Sequence, residues 1–302
     1  MKTETKCVRS NLGLVCITNS EAVRYKTVTR KRLLSFDIPT QEEMLRALYK
    51  ENIVRVNNAI EFCAANNINL YRLTSGLFPF SDDLIGAAIL DEFAEVLGAT
   101  GNKANGNSLR IVMHPDQFVV LSSDSETVIE NSVKILKMHA RTLDLLNQPR
   151  SEWATMNIHG GKGDRFEKLV ASIEKLPENI RSRIAFENDE HAYSAAQILQ
   201  VCHRASVPMV FDAHHHVCCE KLEDYNDESV SEMFWAARET WKNPEHQLVH
   251  ISNGRDRFQD RAHHDLIFTM PEVFRFAPWI EVEAKHKEIA IEKLNNEWLN
   301  VI

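Results

Sequence analysis

The stretch PMVFDAHHH (residues 208–216) joins a short apolar run to an aspartate and three histidines. Five other runs also end on a histidine or a carboxylate: LRIVMHP (109–115), ATMNIHGG (154–161), RIAFEND (183–189), QLVHISNG (247–254) and WIEVEAK (279–285). Roughly a helix and a loop separate most of these runs. Because all strands of a (β/α)₈ barrel end at one face, where the active site is built, the pattern predicts such a barrel with a cage of His, Asp and Glu side chains.

Strand and helix patterns alternate along the rest of the chain and support this fold. Strand-like runs lie near 12–18, 70–73, 109–113, 154–158, 183–187, 207–212, 247–251 and 279–283. Helical patterns lie at 40–66, 84–98, 124–146, 165–175, 193–203, 227–241, 265–275 and 285–298. Capping-box spacing predicts helix starts at Thr40, with Glu43, and at Ser123, with Glu126. A doubly wound open sheet is the alternative fold, but it would not bring ligands from nearly every strand to one place.

Length and composition indicate an ordinary globular protein. The 302 residues, of which 44% are hydrophobic, suffice for one barrel with a large core, so we expect a single domain over 1–302. The sequence has no run of about 18 uncharged apolar residues, so we expect no membrane span. The polar start of the chain lacks the apolar stretch of a signal peptide, which predicts a cytoplasmic protein. The six cysteines have no CxxC spacing, which disfavours a zinc knuckle or a disulfide framework.

The net charge of −8 disfavours a generally basic nucleic-acid binder, but it does not exclude local contacts with DNA. One basic patch lies in the stretch VRYKTVTRKR (23–32), directly after the first predicted strand. Its cations are Arg24, Lys26, Arg30, Lys31 and Arg32. A DNA contact and an ordinary solvated loop are both compatible with this patch.

The residues at the strand ends have the chemistry of metal ligands. They are His114, His159, Glu187, Asp212, His215, His250 and Glu283. Neutral imidazole and carboxylate oxygen suit Zn²⁺ or Mn²⁺. Taken singly, each residue also fits a hydrogen-bonded core position or a helix cap, but carboxylates rarely end buried strands without partners. Six such endings therefore favour a metal centre.

The three successive histidines are not equivalent. The sixth predicted strand ends at Asp212, so the chain can turn there and bring His215 back toward the barrel axis. We therefore expect Asp212 and His215 to act as a ligand pair. His214 and His216 are expected to support the ligands or to lie in the loop.

Two or three divalent cations that share a carboxylate are the usual apparatus for hydrolysis of a phosphodiester. Lys285, two residues after Glu283, is a candidate to face the developing charge, although an exposed lysine at a helix start is the alternative. The chain contains no P-loop, GxSxG or GxGxxG motif, so nucleoside-triphosphate, serine-hydrolase and dinucleotide chemistry have no support.

The order of HPDQF (114–118), IHGGKGD (158–164), FENDE (186–190) and DAHHH (212–216) resembles the UV-damage endonucleases. The resemblance extends from about residue 11 to residue 290. It implies a single TIM barrel similar to those of endonuclease IV and the xylose-isomerase-like proteins, with two or three divalent metal ions. Mn²⁺ is favoured, with Zn²⁺, Co²⁺ or Mg²⁺ as alternatives. The implied partner is damaged double-stranded DNA, and the implied state is a monomer.

The implied reaction belongs to DNA repair by excision. Metal-activated hydroxide would attack the phosphodiester immediately 5′ to a UV photoproduct or a similar lesion, leaving a 3′-OH and a 5′-phosphate. Glu187, Asp212 and Glu283, together with Lys285, are the catalytic residues under this hypothesis.

The resemblance also implies a role for each candidate ligand. Glu187, Asp212, His250 and Glu283 would form one metal site. His114 and His159 would form a second site that shares Glu187. His215 and His263, the first histidine of HHD, would form the third site.

Four further residues would contact DNA under the same resemblance. Gln117 and Phe118 match the pair that probes the duplex, because a planar ring can stack where a base is extruded. Barrel packing is the alternative for Phe118. Arg72 and Lys162 would face phosphates, and a buried structural arginine is the alternative for Arg72.

The sequence departs from the family pattern at a few positions. Leu248 occupies the place of a modifiable lysine, and Gly76 stands where some members carry a histidine. Leu14 and Thr18 replace a GY…N pattern at the first strand. These departures concern the lesion pocket and the third metal site.

Two other function classes remain compatible with the fold. A sugar isomerase of the same barrel type also needs metal carboxylates, but it has no use for a basic first loop or a Gln-Phe wedge. A DNA-binding module without catalysis would not need the full set of ligands.

Overall fold

The computed structural model describes residues 10–115 and 118–300. Eight parallel strands in this part of the chain close into a barrel, and they follow one another around it in chain order. They are β1 (Asn11–Val15), β2 (Leu70–Leu73), β3 (Arg110–Met113), β4 (Met156–His159), β5 (Ile184–Glu187), β6 (Met209–Asp212), β7 (Leu248–Ile251) and β8 (Trp279–Val282). The predicted barrel is therefore confirmed, and the open-sheet alternative is wrong.

Helices occupy the connections between the strands. They are α1 (Arg30–Leu33), α2 (Ile38–Ala65), α3 (Leu84–Glu92), α4 (Ala94–Gly106), α5 (Glu126–Leu145), α6 (Phe166–Glu174), α7 (Glu178–Arg181), α8 (Ala195–Ala205), α9 (Ala213–Glu220), α10 (Glu228–Glu239) and α11 (Lys287–Leu294). Short 3₁₀ turns lie at Glu152–Ala154, Pro244–His246 and Glu272–Phe276, and a π-helical turn at Asn295–Leu299 follows α11. No helix among the described residues is long and apolar enough to cross a membrane.

Two predicted helix starts are wrong. The N-cap of α2 is Asp37, whose carboxylate accepts the backbone N–H of Thr40, and Pro39 in the first turn allows the helix to begin earlier than predicted. The N-cap of α5 is Ser125 rather than Ser123. A complete capping box occurs instead at α8, between Ser194 and Gln197.

The predicted helix over 265–275 is also wrong. The segment contains only the 3₁₀ turn Glu272–Phe276. The side chain of Asn253 explains the difference, because its oxygen accepts the backbone N–H groups of Phe268 and Thr269. Its amide nitrogen also donates to the carbonyl of Thr269, so one side chain takes backbone hydrogen bonds that a helix would use.

Arg110 closes the amino-terminal end of the barrel. Its buried guanidinium lies 5.1–5.9 Å from the ring centroids of Trp153, Trp241 and Trp279. It donates to the carbonyls of Trp153, Glu152 and His246. Burial lowers the pKa of Arg110 to about 9, since these carbonyl partners carry no full charge. Because the amino-terminal end of the barrel is packed, the open face is the one at the carboxyl ends of the strands.

Candidate metal centre

The predicted ligands all lie at the carboxyl ends of the strands. His159, Glu187 and Asp212 are the last residues of β4, β5 and β6. His114 follows β3 directly, and Glu283 follows β8 directly. The parallel register places His159 beside Glu187 and Asp212 beside His250. The side chains therefore converge because neighbouring strands end at the same level.

Three groups of these side chains are close enough to hold a metal ion, with ligand atoms within 4.8 Å of one another in each group. The groups are His114–His159–Glu187, Glu187–Asp212–His215 and Asp212–His250–Glu283. Glu187 belongs to two groups, and so does Asp212. Each shared carboxylate is thus in a position to bridge two cations.

Glu187 lies at the centre of this arrangement and is buried. Its Oε2 is 3.3 Å from Nε2 of His114, and its Oε1 is 3.1 Å from Nδ1 of His250. The Asn157 side chain donates a hydrogen bond to the same carboxylate. Burial opposes ionisation, but the neighbouring His250 and His159 hold the pKa of Glu187 well below its usual range. The Glu187 carboxyl group is therefore ionised at neutral pH, which is the form that binds cations.

The segment from Asp212 to His215 turns as the sequence predicts. The Asp212 carboxylate caps α9 by accepting the backbone N–H of His215 at 2.7 Å. Nδ1 of His215 lies 2.9 Å from the Asn188 carbonyl, which leaves Nε2 toward the cavity. The Asn188 amide exchanges two hydrogen bonds with the backbone of Asp212. The Asn of the FENDE motif thus holds the DAHHH segment in place.

The other two histidines of this segment have structural partners. His214 is buried, with Nδ1 2.6 Å from the hydroxyl of Tyr225 and Nε2 2.8 Å from the carbonyl of Asp260. His216 contacts the hydroxyl of Ser229 at 3.1 Å. Both therefore fasten α9 to its neighbours.

The donor set fits divalent cations. Glu187, Asp212, Glu281 and Glu283 place four carboxylates in a small volume, while Arg72 is the guanidinium that pairs with two of them. Burying several anions together is costly unless positive charge offsets them, and bound divalent cations can share this task with Arg72 and the neighbouring histidines. Within the described residues, Oδ2 of Asp212 and Nδ1 of His159 are buried without a hydrogen-bond partner. These two atoms, together with the N/O donors around them, suit Mn²⁺ or Zn²⁺.

A cavity of about 630 Å³ opens beside the centre, and His159, His215 and His263 line it. Lys162 and Arg261 stand at its rim. Lys162 is paired with Asp124, and Arg261 lies 3.9 Å from Glu190. The cavity connects the surface to the candidate ligands, and the basic side chains of Lys162 and Arg261 lie at its entrance.

His263 and Lys285 lie in different surroundings from those expected for their roles. His263 is half-buried with Nδ1 3.9 Å from Oε2 of Glu283, and it belongs to none of the three groups formed by the described residues. Lys285 is exposed, which favours the alternative of a lysine near a helix start. Burial lowers the pKa of Lys287, and the nearby Glu283 carboxylate opposes this shift.

Arg72 is buried, with 8% of its surface exposed. Its Nη1 lies 3.0 Å from Oε2 of Glu281 and 2.6 Å from Oε1 of Glu283. This placement favours the structural alternative over a phosphate contact.

The predicted DNA contacts at the surface differ in their exposure. Phe118 is 68% exposed, which contradicts packing inside the barrel. Gln117 lies outside the described residues. Arg30 pairs with Asp83 at 2.9 Å, while Lys31 and Arg32 are exposed beside it.

Sequence reasoning missed Glu281, which is buried and contacts both Arg72 and His250. A signal was present, because Glu281 and Glu283 are two residues apart in a strand-like run and must share a face. Asn157 and Asn188 were missed as well. Asn157 stands two residues before His159, and Asn188 directly follows Glu187. The strand pattern alone does not show with which group a side-chain amide forms its hydrogen bond.

Comparisons with known proteins agree with this geometry. The family described as "UV-endonuclease UvdE" matches residues 10–301. The UV DNA damage endonuclease of Nostoc sp. is 54% identical over 296 residues, covering 97% of this chain and 92% of that protein. The one from Deinococcus radiodurans is 46% identical, covering 94% of each chain.

Solved structures show the same barrel. The crystal structure of SacUVDE superposes with a TM-score of 0.76 at 26% identity, over 95% of this chain and 98% of that chain. Endonuclease IV from Thermus thermophilus superposes with a TM-score of 0.59 at 14% identity, over 95% and 98% of the two chains, and supports the fold alone. The family match spans nearly the whole described chain, and the chain belongs to the UV-endonuclease UvdE family.

Proposed function

We propose that this protein is a metal-dependent DNA repair endonuclease that cuts the backbone immediately 5′ to UV photoproducts, leaving a 3′-OH and a 5′-phosphate. The observation that carries the proposal is the shared carboxylate of Glu187, which stands between two groups of candidate ligands at the open face of the barrel. Membership of the UvdE family and the names of the Nostoc and Deinococcus relatives support DNA as the substrate.

The chain's own residues would perform three tasks in this reaction. Glu187 and Asp212 would each hold two cations, and His114, His159, His215, His250 and Glu283 would complete the ligand set. When bound, divalent cations supply a hydroxide nucleophile at neutral pH and stabilise the leaving oxygen. Lys162 and Arg261 at the cavity rim would orient the phosphates next to the cut.

His263 is proposed as an additional ligand that would help His215 to hold a cation. It lines the same cavity as His215, and the loop that carries it is joined to Gly254 by an isolated bridge. Mn²⁺ is the proposed cation, since imidazole and carboxylate ligands are both acceptable to it.

A plasmid assay tests the activity. UV-irradiated plasmid should be nicked in the presence of Mn²⁺, while unirradiated plasmid and irradiated plasmid with EDTA should remain closed. A duplex with one photoproduct, labelled at the 5′ end of the damaged strand, should yield a fragment that ends directly before the lesion and that a polymerase can extend. Equal nicking of irradiated and unirradiated DNA would contradict the proposal, and a product cut on the 3′ side would contradict its polarity.

Glu187→Gln should abolish cleavage of irradiated DNA. The amide keeps the size of the side chain but removes the charge that holds two cations together, so turnover should fall by at least about 100-fold. Glu152→Gln is the matched control, because Glu152 is also buried but lies in the 3₁₀ turn Glu152–Ala154 at the closed end of the barrel. Activity of Glu187→Gln within about threefold of the wild type would contradict the bridging role.

A further inference from the structure

We propose that Glu281 and Arg72 are positioning residues that stand behind the candidate metal centre and hold His250 and Glu283 in their binding orientation. The inference rests on the proposed metal-dependent function. Neither residue is expected to contact the substrate.

The strand register places Glu281 against His250. The two residues are direct partners between β7 and β8. Oε2 of Glu281 lies 2.5 Å from Nε2 of His250, a close charge contact rather than an aligned hydrogen bond. The other ring nitrogen, Nδ1, lies 3.1 Å from Glu187 and 3.4 Å from Glu283. The imidazole therefore has one nitrogen toward the candidate ligands and one toward Glu281.

Such an arrangement controls how a histidine binds metal. A carboxylate at the nitrogen that does not bind metal fixes the orientation of the ring and increases its strength as a ligand. Glu281 is 1% exposed and His250 is fully buried, so water does not screen their interaction. Rotation of the His250 ring would separate it from Glu281 and Glu187 together.

Arg72 connects this contact to a second candidate ligand. A single nitrogen, Nη1, lies 3.0 Å from Glu281 and 2.6 Å from Glu283. Arg72 lies on β2, Glu281 on β8 and His250 on β7, so the group joins three strands. Removal of the charge on Glu281 would leave Arg72 drawn toward Glu283 alone, and that carboxylate would then bind the arginine instead of the metal.

Stability alone is a weak reason to keep these charges. A buried ion pair is often no more stabilising than apolar residues of the same volume. Oε1 of Glu281 and Nε of Arg72 are also buried without a hydrogen-bond partner in the described ranges, so neither group is fully satisfied. Besides the contact between them, Glu281 meets the candidate ligand His250 and Arg72 meets the candidate ligand Glu283, which supports a role in orienting the metal site.

Metal binding by the whole chain, without DNA, tests the inference. Free Mn²⁺ measured by electron paramagnetic resonance gives the dissociation constant, and the visible absorption of bound Co²⁺ reports the ligand geometry. Glu281→Gln should weaken Mn²⁺ binding by about 10–100-fold and change the Co²⁺ spectrum. Glu281→Asp, which restores the charge, should recover part of the affinity.

Glu152→Gln is the control for a purely structural effect. Glu152 is buried and accepts the backbone N–H groups of Lys242 and Asn243. This substitution should lower stability but leave Mn²⁺ affinity and the Co²⁺ spectrum as in the wild type. If Glu281→Gln behaves in the same way, with affinity within about twofold of the wild type, the inference is wrong.

A further variant covers the case in which Glu281→Gln does not fold. Arg72→Lys keeps the charge but replaces the guanidinium by a single ammonium group, so binding should again weaken by at least about tenfold. An unchanged affinity would then overturn the inference. Failure of the wild type itself to bind Mn²⁺ would instead contradict the proposed function, which keeps the two failures distinct.

Discussion

At the scale of single residues, surroundings rather than residue type decide what a side chain can do. Arg72 and Lys162 are both cations predicted to contact phosphates, yet Arg72 is buried between two carboxylates while Lys162 stands at the cavity rim. Phe118 and Phe211 are both large and aromatic, but Phe211 is fully buried in the core whereas Phe118 is 68% exposed. Of these two rings, that of Phe118 is the one accessible from solution.

Phe118→Ala should weaken binding to damaged duplex by about 1–3 kcal/mol, because the variant has no ring to stack on an unpaired base. Fluorescence anisotropy with a photoproduct-containing duplex measures the change, and Mn²⁺ affinity should stay the same. Val54→Ala on α2 removes another exposed apolar side chain and should have no effect. Equal affinity of Phe118→Ala and the wild type for damaged DNA would mean that the ring does not stack.

The pH dependence of stability should include His139, a buried histidine of α5. Burial, with a smaller contribution from His114, lowers the pKa of His139 to about 4. Because the unfolded chain has a pKa of about 6.5 at this residue, it binds more protons than the folded chain between about pH 4 and pH 6.5. Stability is therefore full above about pH 6.5 and decreases as the pH falls, by about 2 kcal/mol at pH 5.

Urea unfolding of the metal-free protein at pH 7 and pH 5 measures this decrease. Between pH 7 and pH 5, the free energy of unfolding should decrease in both proteins. The decrease should be about 2 kcal/mol smaller for His139→Leu than for the wild type. The exposed His203→Leu on α8 is the control and should show the same decrease as the wild type. An equal decrease for His139→Leu and the wild type would contradict the assignment.

At the scale of elements, the connection from β1 to α2 carries three neighbouring cations, one of which is held in an ion pair. In the connection from β1 to α2, Arg30 lies 2.9 Å from Asp83 and stacks on Phe80 at 5.1 Å. Lys31 and Arg32 are exposed on the same short helix α1. The patch thus offers cations at the same face as the candidate metal centre, as the first loop of a barrel must.

Replacing Arg30, Lys31 and Arg32 by Ala should weaken binding to damaged and undamaged DNA about equally. The slope of log K against log salt should become shallower by up to ~0.9 for each phosphate that the variant no longer neutralises. Replacing Arg150, Lys175 and Lys242 is the matched control, because these cations follow helices at the opposite end of the barrel. A slope that the first triple variant does not alter would mean that the patch is an ordinary solvated surface.

At the scale of the whole molecule, a net charge of −8 must be reconciled with a polyanionic substrate. Several of the negative charges belong to the candidate metal centre, where bound cations would neutralise them. The remaining surface is a mixture of exposed ion pairs, each of which contributes little to stability. Metal loading is therefore expected to change both stability and affinity for DNA.

Mn²⁺ should raise the melting temperature of the EDTA-treated protein. A ligand that binds only the folded state at 100 times its dissociation constant adds about 2.7 kcal/mol, which corresponds to roughly 4 °C for a chain of this size. Differential scanning fluorimetry measures the shift. Asp212→Asn removes a carboxylate shared by two ligand groups and should reduce it. An equal shift for this variant would place the bound metal elsewhere.

The sequence alone determined the barrel, the order of its strands and the ligand candidates at their ends. These features depend on short-range patterns, since an apolar run, a turn and a polar residue directly after it are read within about ten residues. The prediction that His215 turns inward after Asp212 also succeeded for this reason, because the end of β6 and the start of α9 are local events.

Only the tertiary structure decided the partners of the buried charges. Arg72 meets Glu281 across 209 positions of the chain, and no local pattern distinguishes this pair from a phosphate contact. The side chain of Asn253 accepts a hydrogen bond from the backbone N–H of Phe268, 15 positions away. This contact holds a loop in the place where the local pattern predicts a helix. Side-chain direction and ion pairing depend on which distant strands become neighbours, and that is settled when the barrel closes.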